Sequence, residues 1–511
     1  MPPLSAYCVD KGGFILHRKM PIFYSALLLT GVNLLLRFVS TSFQVYISGQ
    51  LGAAGVGLLQ LVLSVGAMAM TLGMAGIRTT SMYLTAEELG KKRPGTVTWV
   101  LSGCFLYSIL CSCTVALGLY TFAPFLARVW VGNESTADAI RLYAGFLPVF
   151  CLCGVMTGYF TAANRIGTLA AVEIVEQLLS MVITMSALRL WGHNDPAKAC
   201  QCVILGSGIS ICVTLLCLVI LRLRERGKAD APILVKTRLL RCAVPLALAD
   251  DLKAGISTTE NLMVPKRLAL YPLIQDPLAA FGIVCGMVFP VLMFPACILY
   301  ALAELLIPEL ARCAASGSRK RIRYLTRRSL RVSMLYGSLF CGSMFLLADP
   351  LCTALYGNPE AGAFLKQYAL LIPMLYCDAI TDAMTKGLGQ QKACVKYNII
   401  TSSMDVVFLF LLLPHYGMQG YFWSFLITHL LNFILSLGRL MKITGRVIAY
   451  KTPLLVAGAT AGAIWICSRI YDPWLQGSCY VIVLVCLLYL LKVIGREDLL
   501  WLKGLVKKQD P

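Results

Sequence analysis

The stretch "GNESTADAIRLYAGFLP" (132–148) decides the fold, because its landmarks return in "GNPEAGAFLKQYALLIP" (357–373). The Gly-Asn pair, the Tyr-Ala pair and the Pro recur without a gap, at a separation of about 225 residues. Gly57 in "AAGVGLLQ" and Gly282 in "LAAFGIVC" keep the same separation. Both copies lie between long apolar segments. We therefore expect two related bundles around a shared central site, a plan common among secondary transporters.

The composition indicates an all-α polytopic membrane protein. Hydrophobic residues make up 58% of the 511 residues and charged residues only 14%, and apolar runs long enough to cross a bilayer recur along the chain. The first twenty residues hold Pro, Asp, Lys and Arg, so no cleavable signal peptide is expected. The net charge of +20 comes from short runs without interleaved aromatics. It is typical of cytoplasmic loops facing anionic membrane lipids, and nucleic-acid binding is not expected.

The 21 cysteines do not predict disulfides or a metal site. Most lie inside apolar segments, where a free thiol behaves as a small hydrophobic side chain. The C-x-C pairs point to different sides of a helix and have no His or carboxylate nearby, so neither a metal nor a cofactor is predicted.

The chain divides into about fourteen segments of bilayer-spanning length. The first six are expected near 21–46, 58–84, 97–122, 137–162, 167–190 and 199–221. The next six are expected near 242–265, 279–308, 330–348, 361–386, 394–414 and 418–438, and two more near 453–470 and 479–494. The predicted units are an N-terminal cytoplasmic segment (1–20), a first six-helix bundle (21–221), a basic cytoplasmic linker (222–241), a second bundle (242–438), two additional helices (453–494) and a cytoplasmic tail (495–511).

The distribution of Lys and Arg predicts the orientation. If both termini are cytoplasmic, the basic loops 91–93, 222–241 and 312–331 all lie inside. The outer connections "ISGQLGAAGVG" (47–57), "PHYG" (414–417) and "YDPWLQGS" (471–478) hold no Lys or Arg. Roughly three quarters of the basic residues are then cytoplasmic, as the positive-inside rule requires. Six helices per repeat is an even number, so both halves enter from the same side. The repeats are then parallel, related by rotation about the membrane normal.

Charged residues inside spanning segments are the candidate site residues, because each is costly in lipid unless it is paired or hydrated. Arg37 is near the middle of the first segment, where it either pairs with a carboxylate or contacts an anion in a central cavity. Arg78 is nearer the cytoplasmic end of the second segment, where it either reaches the interface or lines the same cavity.

The seventh segment, "VPLALADDLKAGISTTENLMVPK" (244–266), is the most polar. Asp250, Asp251, Lys253 and Glu260 fall within one crossing. Asp250 and Lys253 are three residues apart and can neutralise each other, which leaves Asp251 unpaired. We expect this helix to line water and to contribute these residues to substrate binding.

Five further carboxylates are candidates for ion coupling. Glu173 and Glu176 share a helix face, and two carboxylates at low dielectric suit H+ or Na+ coupling; the alternative is a pair with Arg165 near the cytoplasmic mouth. Asp378, Asp382 and Asp405 are weaker candidates in the second half. No residue set has the spacing of a catalytic site, so an enzyme is not predicted.

In their order and spacing, several stretches resemble the multidrug/oligosaccharidyl-lipid/polysaccharide exporter superfamily, closest to the branch of stage V sporulation protein B and the polysaccharide-biosynthesis flippases. They are "LGAAGVGLLQL" (51–61), "GIRTTSMYLTAEELGK" (76–91), "LMVPKRL" (262–268), "LIPELARCAASGSRKRIRYLTRRSLR" (306–331), "LYGNPEAG" (355–362) and "GLGQQKACVKYNII" (387–400). The resemblance covers roughly residues 20–490.

The resemblance implies a V-shaped, two-bundle fold like that of the MATE transporters, alternating access and a lipid-linked glycan substrate. Arg37 fits the position of an anion-contacting arginine in lipid II flippases. The family pattern leads us to expect a Pro in "GIRTTS", where this chain has Arg78, a difference that changes the cavity or its gating.

The sequence features leave three functions open. The first is a flippase for a lipid-linked oligosaccharide or peptidoglycan precursor of the cell membrane, for cell wall or spore cortex synthesis. The second is a cation-coupled multidrug antiporter of the same fold, which would favour an acidic cavity. The third, a lipid-linked sugar polymerase or ligase, usually needs a large outer loop with catalytic residues, and no outer connection here exceeds roughly fifteen residues.

Overall fold

The computed structural model describes residues 22–90, 95–163, 165–191, 195–224, 236–445 and 451–493, and within them every regular element is helical. The predicted cytoplasmic segment 1–20, most of the linker 222–241 and the tail 495–511 lie outside the described residues. The first half contains α1 (Ile22–Met74), α2 (Ile77–Gly90), α3 (Thr96–Phe125), α4 (Ala137–Ala162), α5 (Ile166–Trp191) and α6 (Pro196–Arg224).

The second half begins with α7 (Lys236–Leu268), α8 (Pro277–Gly282), α9 (Phe289–Met293), α10 (Ala296–Ala315) and α11 (Arg319–Tyr356). It continues with α12 (Pro359–Ala369), α13 (Ile372–Gly387), α14 (Gln391–Tyr416), α15 (Met418–Thr444), α16 (Lys451–Cys467) and α17 (Pro473–Leu490). Two π-helical stretches, Leu126–Val131 after α3 and Ile283–Val288 between α8 and α9, continue their neighbours.

Breaks in the helices lie at residues that favour them. Gly52 interrupts α1 with φ 67° and ψ 177°, a conformation that a residue without Cβ adopts freely. The predicted segment 279–308 bends by 62° between α9 and α10, beside Pro295. The predicted segment 361–386 bends by 57° between α12 and α13, where Pro373 enters the first turn of the new helix and lacks the N–H that would continue the old one.

The repeat is visible in the element boundaries. The offset of 225 residues carries both ends of α5 onto both ends of α14. Gly132 and Gly357 each end a helical stretch in the left-handed region, with φ 80° and 62°. Asn133 and Asn358 follow as N-caps whose side chains accept a hydrogen bond from the backbone N–H two residues on. The same capping chemistry thus starts the short 3-10 turn Glu134–Thr136 ahead of α4 and the helix α12 at the equivalent place in the second half.

The helix α7 lies between the two halves and contacts α1 and α2 on one side and α14 on the other. Thr258 Oγ1 donates to Ser64 O at 3.3 Å, and Asn261 Nδ2 donates to Ser64 Oγ at 3.1 Å. At the end of α7, Arg267 Nη2 donates to Phe410 O at 2.9 Å. The polar face of α7 is therefore used in part to join the bundles.

The helices α16 and α17 pack against each other and against α11. Tyr480 is fully buried, and its hydroxyl donates to Ser338 O at 2.7 Å. The pair has no counterpart in the first half and extends the second bundle sideways.

By length and composition, nine helices of the described part of the chain can cross a membrane, or eleven when each bent pair is one span. One of the nine, Leu34–Leu89, covers two predicted segments. The polar α7 and the 17-residue α16 are outside that set. The all-α architecture is confirmed, and the count of fourteen stays a prediction. Large side chains such as Leu106, Leu117 and Ile482 are more than 60% exposed, as expected of a surface that faces lipid.

Candidate functional site

The structure divides the predicted site residues among separate places in the fold. Arg37 is exposed on α1, and its neighbours belong to the second half. The ring of Phe38 lies 6.3 Å from that of Phe294, centroid to centroid, and Arg37 is within electrostatic range of Cys297 and Tyr300 on α10. The guanidinium therefore lies where α1 meets α10, at the boundary between the two bundles.

Arg78, Glu173 and Glu176 form one group inside the first bundle. Arg78, on α2, interacts electrostatically with Glu173 on α5. Glu176, one turn further on, lies near Thr214 of α6 and within electrostatic range of Glu173. The cation from α2 offsets part of the repulsion between the carboxylates.

The four candidates of α7 separate along the helix. Asp250 and Lys253 are exposed, and Asp251 is half-buried. Asp251 lines a cavity of about 750 Å³ between α7 and α14, together with Thr258, Lys266, Ser403 and other residues. Lys266 also donates to Val129 O in the first half. One wall of this cavity thus carries both an acidic and a basic group.

Glu260 belongs to a different group, with Asp405. Asp405 is 7% exposed on α14, and its Oδ1 accepts hydrogen bonds from Ser424 Oγ at 2.5 Å and Thr428 Oγ1 at 3.2 Å, both on α15. The carboxyl group of Glu260 lies close enough to that of Asp405 for the two to interact directly. Two carboxyl groups in contact need a proton or another cation between them, so this cluster can hold one positive charge where three helices meet.

Asp378 and Asp382 line a cavity of about 390 Å³ inside the second bundle. Asn432 Nδ2 donates to Asp378 Oδ2 at 3.1 Å. Lys386 forms an ion pair with Asp382 at 2.6 Å, one helical turn away. Tyr300, which lies near Arg37, also lines this cavity.

Several polar residues of these groups were not predicted. Ser424, Thr428 and Asn432 supply hydrogen bonds to Asp405 and Asp378, and His429 lines the Asp378 cavity. They share one α-helix at spacings of one and two turns, so a polar stripe in an otherwise apolar segment was the available signal.

Comparison with known proteins agrees with this architecture. Residues 23–249 match the family of polysaccharide biosynthesis proteins. Stage V sporulation protein B of Bacillus subtilis (strain 168) is 20% identical over 415 residues, which cover 79% of this chain and 80% of that protein. Lipid II flippase MurJ in an inward closed conformation superposes with a TM-score of 0.69 at 10% identity, over 90% of this chain and 98% of that chain. A multidrug resistance MATE family transporter of the MOP superfamily, in an inward-facing conformation, superposes with a TM-score of 0.64 at 13% identity, over 82% of this chain and 98% of that chain.

By these likenesses the protein is a multi-pass membrane protein with the fold of MATE and MurJ transporters. The resemblance to the multidrug/oligosaccharidyl-lipid/polysaccharide exporter superfamily is confirmed, and within it the chain is similar to stage V sporulation protein B and to the polysaccharide biosynthesis proteins.

Proposed function

We propose that this protein is a flippase that moves a lipid-linked oligosaccharide or a peptidoglycan precursor across the cytoplasmic membrane by alternating access, for cell wall or spore cortex synthesis. The observation that carries the proposal is the exposed Arg37 at the contact of α1 with α10, in a fold similar to that of a lipid II flippase. The similarity to stage V sporulation protein B supports the same substrate class.

In this mechanism Arg37 binds the pyrophosphate of the substrate while the lipid tail stays in the bilayer. The planar guanidinium offers paired N–H donors that match two oxygens of a phosphate group. Its position at the boundary lets one residue hold the anion while the two bundles rock about it. Arg78, Asp250, Asp251, Lys253 and Glu260 stay candidates for further contacts with the headgroup.

We further propose that the Glu260–Asp405 cluster binds the coupling ion, H+ or Na+. The cluster joins α7 to α14 and α15, so filling or emptying it changes how firmly α7 is held to the second bundle. Because α7 also contacts α1 through Ser64, ion binding here is coupled to the movement of the bundles. Glu173, Glu176, Asp378 and Asp382 stay further candidates for ion coupling.

A cation-coupled multidrug antiporter is the second candidate. It is favoured by the acidic cavity around Asp378 and Asp382 and by the similarity to a multidrug resistance MATE transporter. The presence of Arg37 beside that cavity favours an anionic substrate instead.

We propose that the two bundles are residues 21–221 and 242–438, joined by the cytoplasmic linker 222–241, with 453–494 as an additional helix pair. Both termini, including the tail 495–511, are then cytoplasmic.

The function is tested in cells depleted of the endogenous flippase, by measuring lipid-linked precursor accumulation. The wild-type chain should relieve the accumulation, Arg37→Ala should not, and Arg37→Lys should do so weakly. Arg141→Ala is the matched control, because Arg141 pairs with Asp138 on the same helix, with both side chains more than 40% exposed. Full relief by Arg37→Ala at normal expression would refute the proposed role of Arg37, and no relief by the wild type would refute the function.

A further inference from the structure

The side-chain amide of Asn432 is hydrogen-bonded through its nitrogen, whereas its oxygen has no donor among the described residues. Its side chain is 8% exposed, and Nδ2 donates to Asp378 Oδ1 at 3.3 Å and to Oδ2 at 3.1 Å. A carboxylate accepts hydrogen bonds from the amide N–H, which fixes the orientation of the amide. The buried Asn432 Oδ1 receives no hydrogen bond from the described residues. A buried carbonyl without a donor is costly, so this oxygen is poised for a donor from a ligand.

The cavity beside Asn432 has the size and lining of a small-molecule site. Its volume is about 390 Å³, within the range of sites for organic ligands and far larger than a single metal ion requires. The apolar wall includes Phe289, Phe425 and Met293. His429 packs on Phe425, with the ring centroids 4.1 Å apart, so flat ring surfaces face a few fixed polar groups.

The polar groups of the cavity mainly accept hydrogen bonds. Asp382 is already neutralised by Lys386 at 2.6 Å. Asp378 is the other carboxylate of the wall, and among the described residues its hydrogen-bond donor is the Asn432 amide. Asn398 adds another amide to the wall. A ligand that brings several hydroxyl or amide N–H donors would satisfy Asp378 and Asn432 Oδ1 together.

The cavity also lies next to the proposed anion site. Tyr300 lines it and is within electrostatic range of both Arg37 and Asp378. In a lipid-linked glycan the first sugar is bonded directly to the pyrophosphate. A pyrophosphate held by Arg37 would therefore present its sugar to the cavity beyond Tyr300.

We propose that the Asn432–Asp378 cavity of the second bundle binds the sugar portion of the lipid-linked substrate, through donors from its hydroxyl and amide groups. This inference rests on the proposed flippase function. It divides recognition into two parts: Arg37 selects the anion, and the Asn432–Asp378 cavity selects the glycan.

Binding of two lipids to the purified full-length protein tests the division. The probes are undecaprenyl pyrophosphate and the same lipid carrying an N-acetylglucosaminyl–N-acetylmuramyl disaccharide, compared by native mass spectrometry. The wild type should favour the disaccharide lipid by about tenfold or more. Asn432→Leu should remove that preference and leave binding of undecaprenyl pyrophosphate unchanged. Asn432→Gln, which keeps the amide, should retain part of the preference, and Arg37→Ala should weaken binding of both lipids.

The outcomes distinguish failure of the proposed sugar site from failure of the proposed flippase function. A preference that survives in Asn432→Leu, or a wild type that binds both lipids equally, would overturn the sugar site while leaving the flippase proposal intact. A wild type that binds neither lipid would overturn both. If Asn432→Leu does not fold, Asp378→Asn probes the same wall at nearly constant volume and should lose the preference in the same way; retention of the preference there would also overturn the site.

Discussion

Gly57 and Gly282, at equivalent positions of the two repeats, pack directly against each other. A Cβ on Gly282 would lie 2.6 Å from Gly57 N and 2.0 Å from Ala53 O, and a Cβ on Gly57 would lie 2.3 Å from Leu278 O. Ala53 and Leu278 are themselves equivalent under the same offset. Each glycine thus meets the same backbone group of the other repeat, the reciprocal contact expected at a two-fold axis. The pseudo-symmetry axis therefore passes between Gly57 and Gly282.

Substitution at this contact should separate the bundles. We expect Gly282→Ala to lower the free energy of unfolding by about 1–3 kcal/mol, because the new methyl group meets backbone atoms that cannot move aside. The thermal melting temperature in detergent measures the effect. Gly118→Ala is the control, since a Cβ there meets nothing within 4 Å. Equal melting of Gly282→Ala and the wild type would mean that the bundles do not close on this contact.

The Glu260–Asp405 cluster should determine the dependence of transport on its coupling ion. Asp405→Asn removes one carboxylate but keeps hydrogen-bonding groups for Ser424 and Thr428. Transport by this variant should no longer respond to a Na+ or pH gradient, because the site cannot gain and release a charge as before. Glu134→Gln, at a side chain 68% exposed, should keep the wild-type response. An unchanged response in Asp405→Asn would exclude this cluster as the coupling site.

Arg238 joins the start of α7 to the end of α2. Its Nη2 lies 2.7 Å from Glu87 Oε2 and its Nη1 lies 3.0 Å from Glu88 Oε1, and the side chain of Glu88 is 2% exposed. Arg238→Ala should lower the free energy of unfolding by about 1–3 kcal/mol, because the buried carboxylate of Glu88 loses a charged hydrogen-bond donor.

The matched control for Arg238→Ala is Arg312→Ala. Arg312 forms an ion pair with Glu309, but its side chain is 69% exposed. The loss of this pair should therefore lower the free energy of unfolding by at most about 1 kcal/mol. Chemical denaturation followed by tryptophan fluorescence compares the two variants. If Arg312→Ala lowered the free energy of unfolding as much as Arg238→Ala, burial of Glu88 would not increase the stabilisation that its ion pair gives.

The orientation is tested by reporter fusions. The charge distribution predicts that Pro196 follows an outer connection and Gly317 lies in a cytoplasmic loop. Alkaline phosphatase fused after Pro196 should be active and after Gly317 inactive, with a green fluorescent protein fusion giving the reverse. The same activity at both positions would mean that the segmentation is wrong by one crossing.

Much of the fold follows from local sequence. The segment 137–162 coincides with α4, because the length of the apolar run and the turn-forming Gly-Asn pair ahead of it both lie in contiguous residues. The break at Gly52 likewise lies between the predicted segments 21–46 and 58–84. The bends inside the predicted segments 279–308 and 361–386 are harder to predict, since hydropathy alone does not show where a spanning segment bends.

The sequence predicted individual residues of the site but not which of them lie together. Intramembrane charge singles out Glu260 and Asp405, yet their contact joins residues 145 positions apart, and no periodicity specifies which helix faces which. Asn432 shows the same difficulty: its importance lies in a buried oxygen that receives no hydrogen bond from the described part of the chain, which is a property of the packed structure.

Flipping of a lipid-linked saccharide in proteoliposomes tests the proposed function of the protein. Purified protein is reconstituted with a fluorescent undecaprenyl-pyrophosphoryl saccharide, and an impermeant quencher reports how much of the lipid changes leaflet. We expect transfer by the wild type well above that of protein-free vesicles, and transfer near that background by Arg37→Ala. Background-level transfer by the wild type, together with uptake of a cationic dye against a Na+ or H+ gradient, would contradict the proposed function and identify a multidrug antiporter.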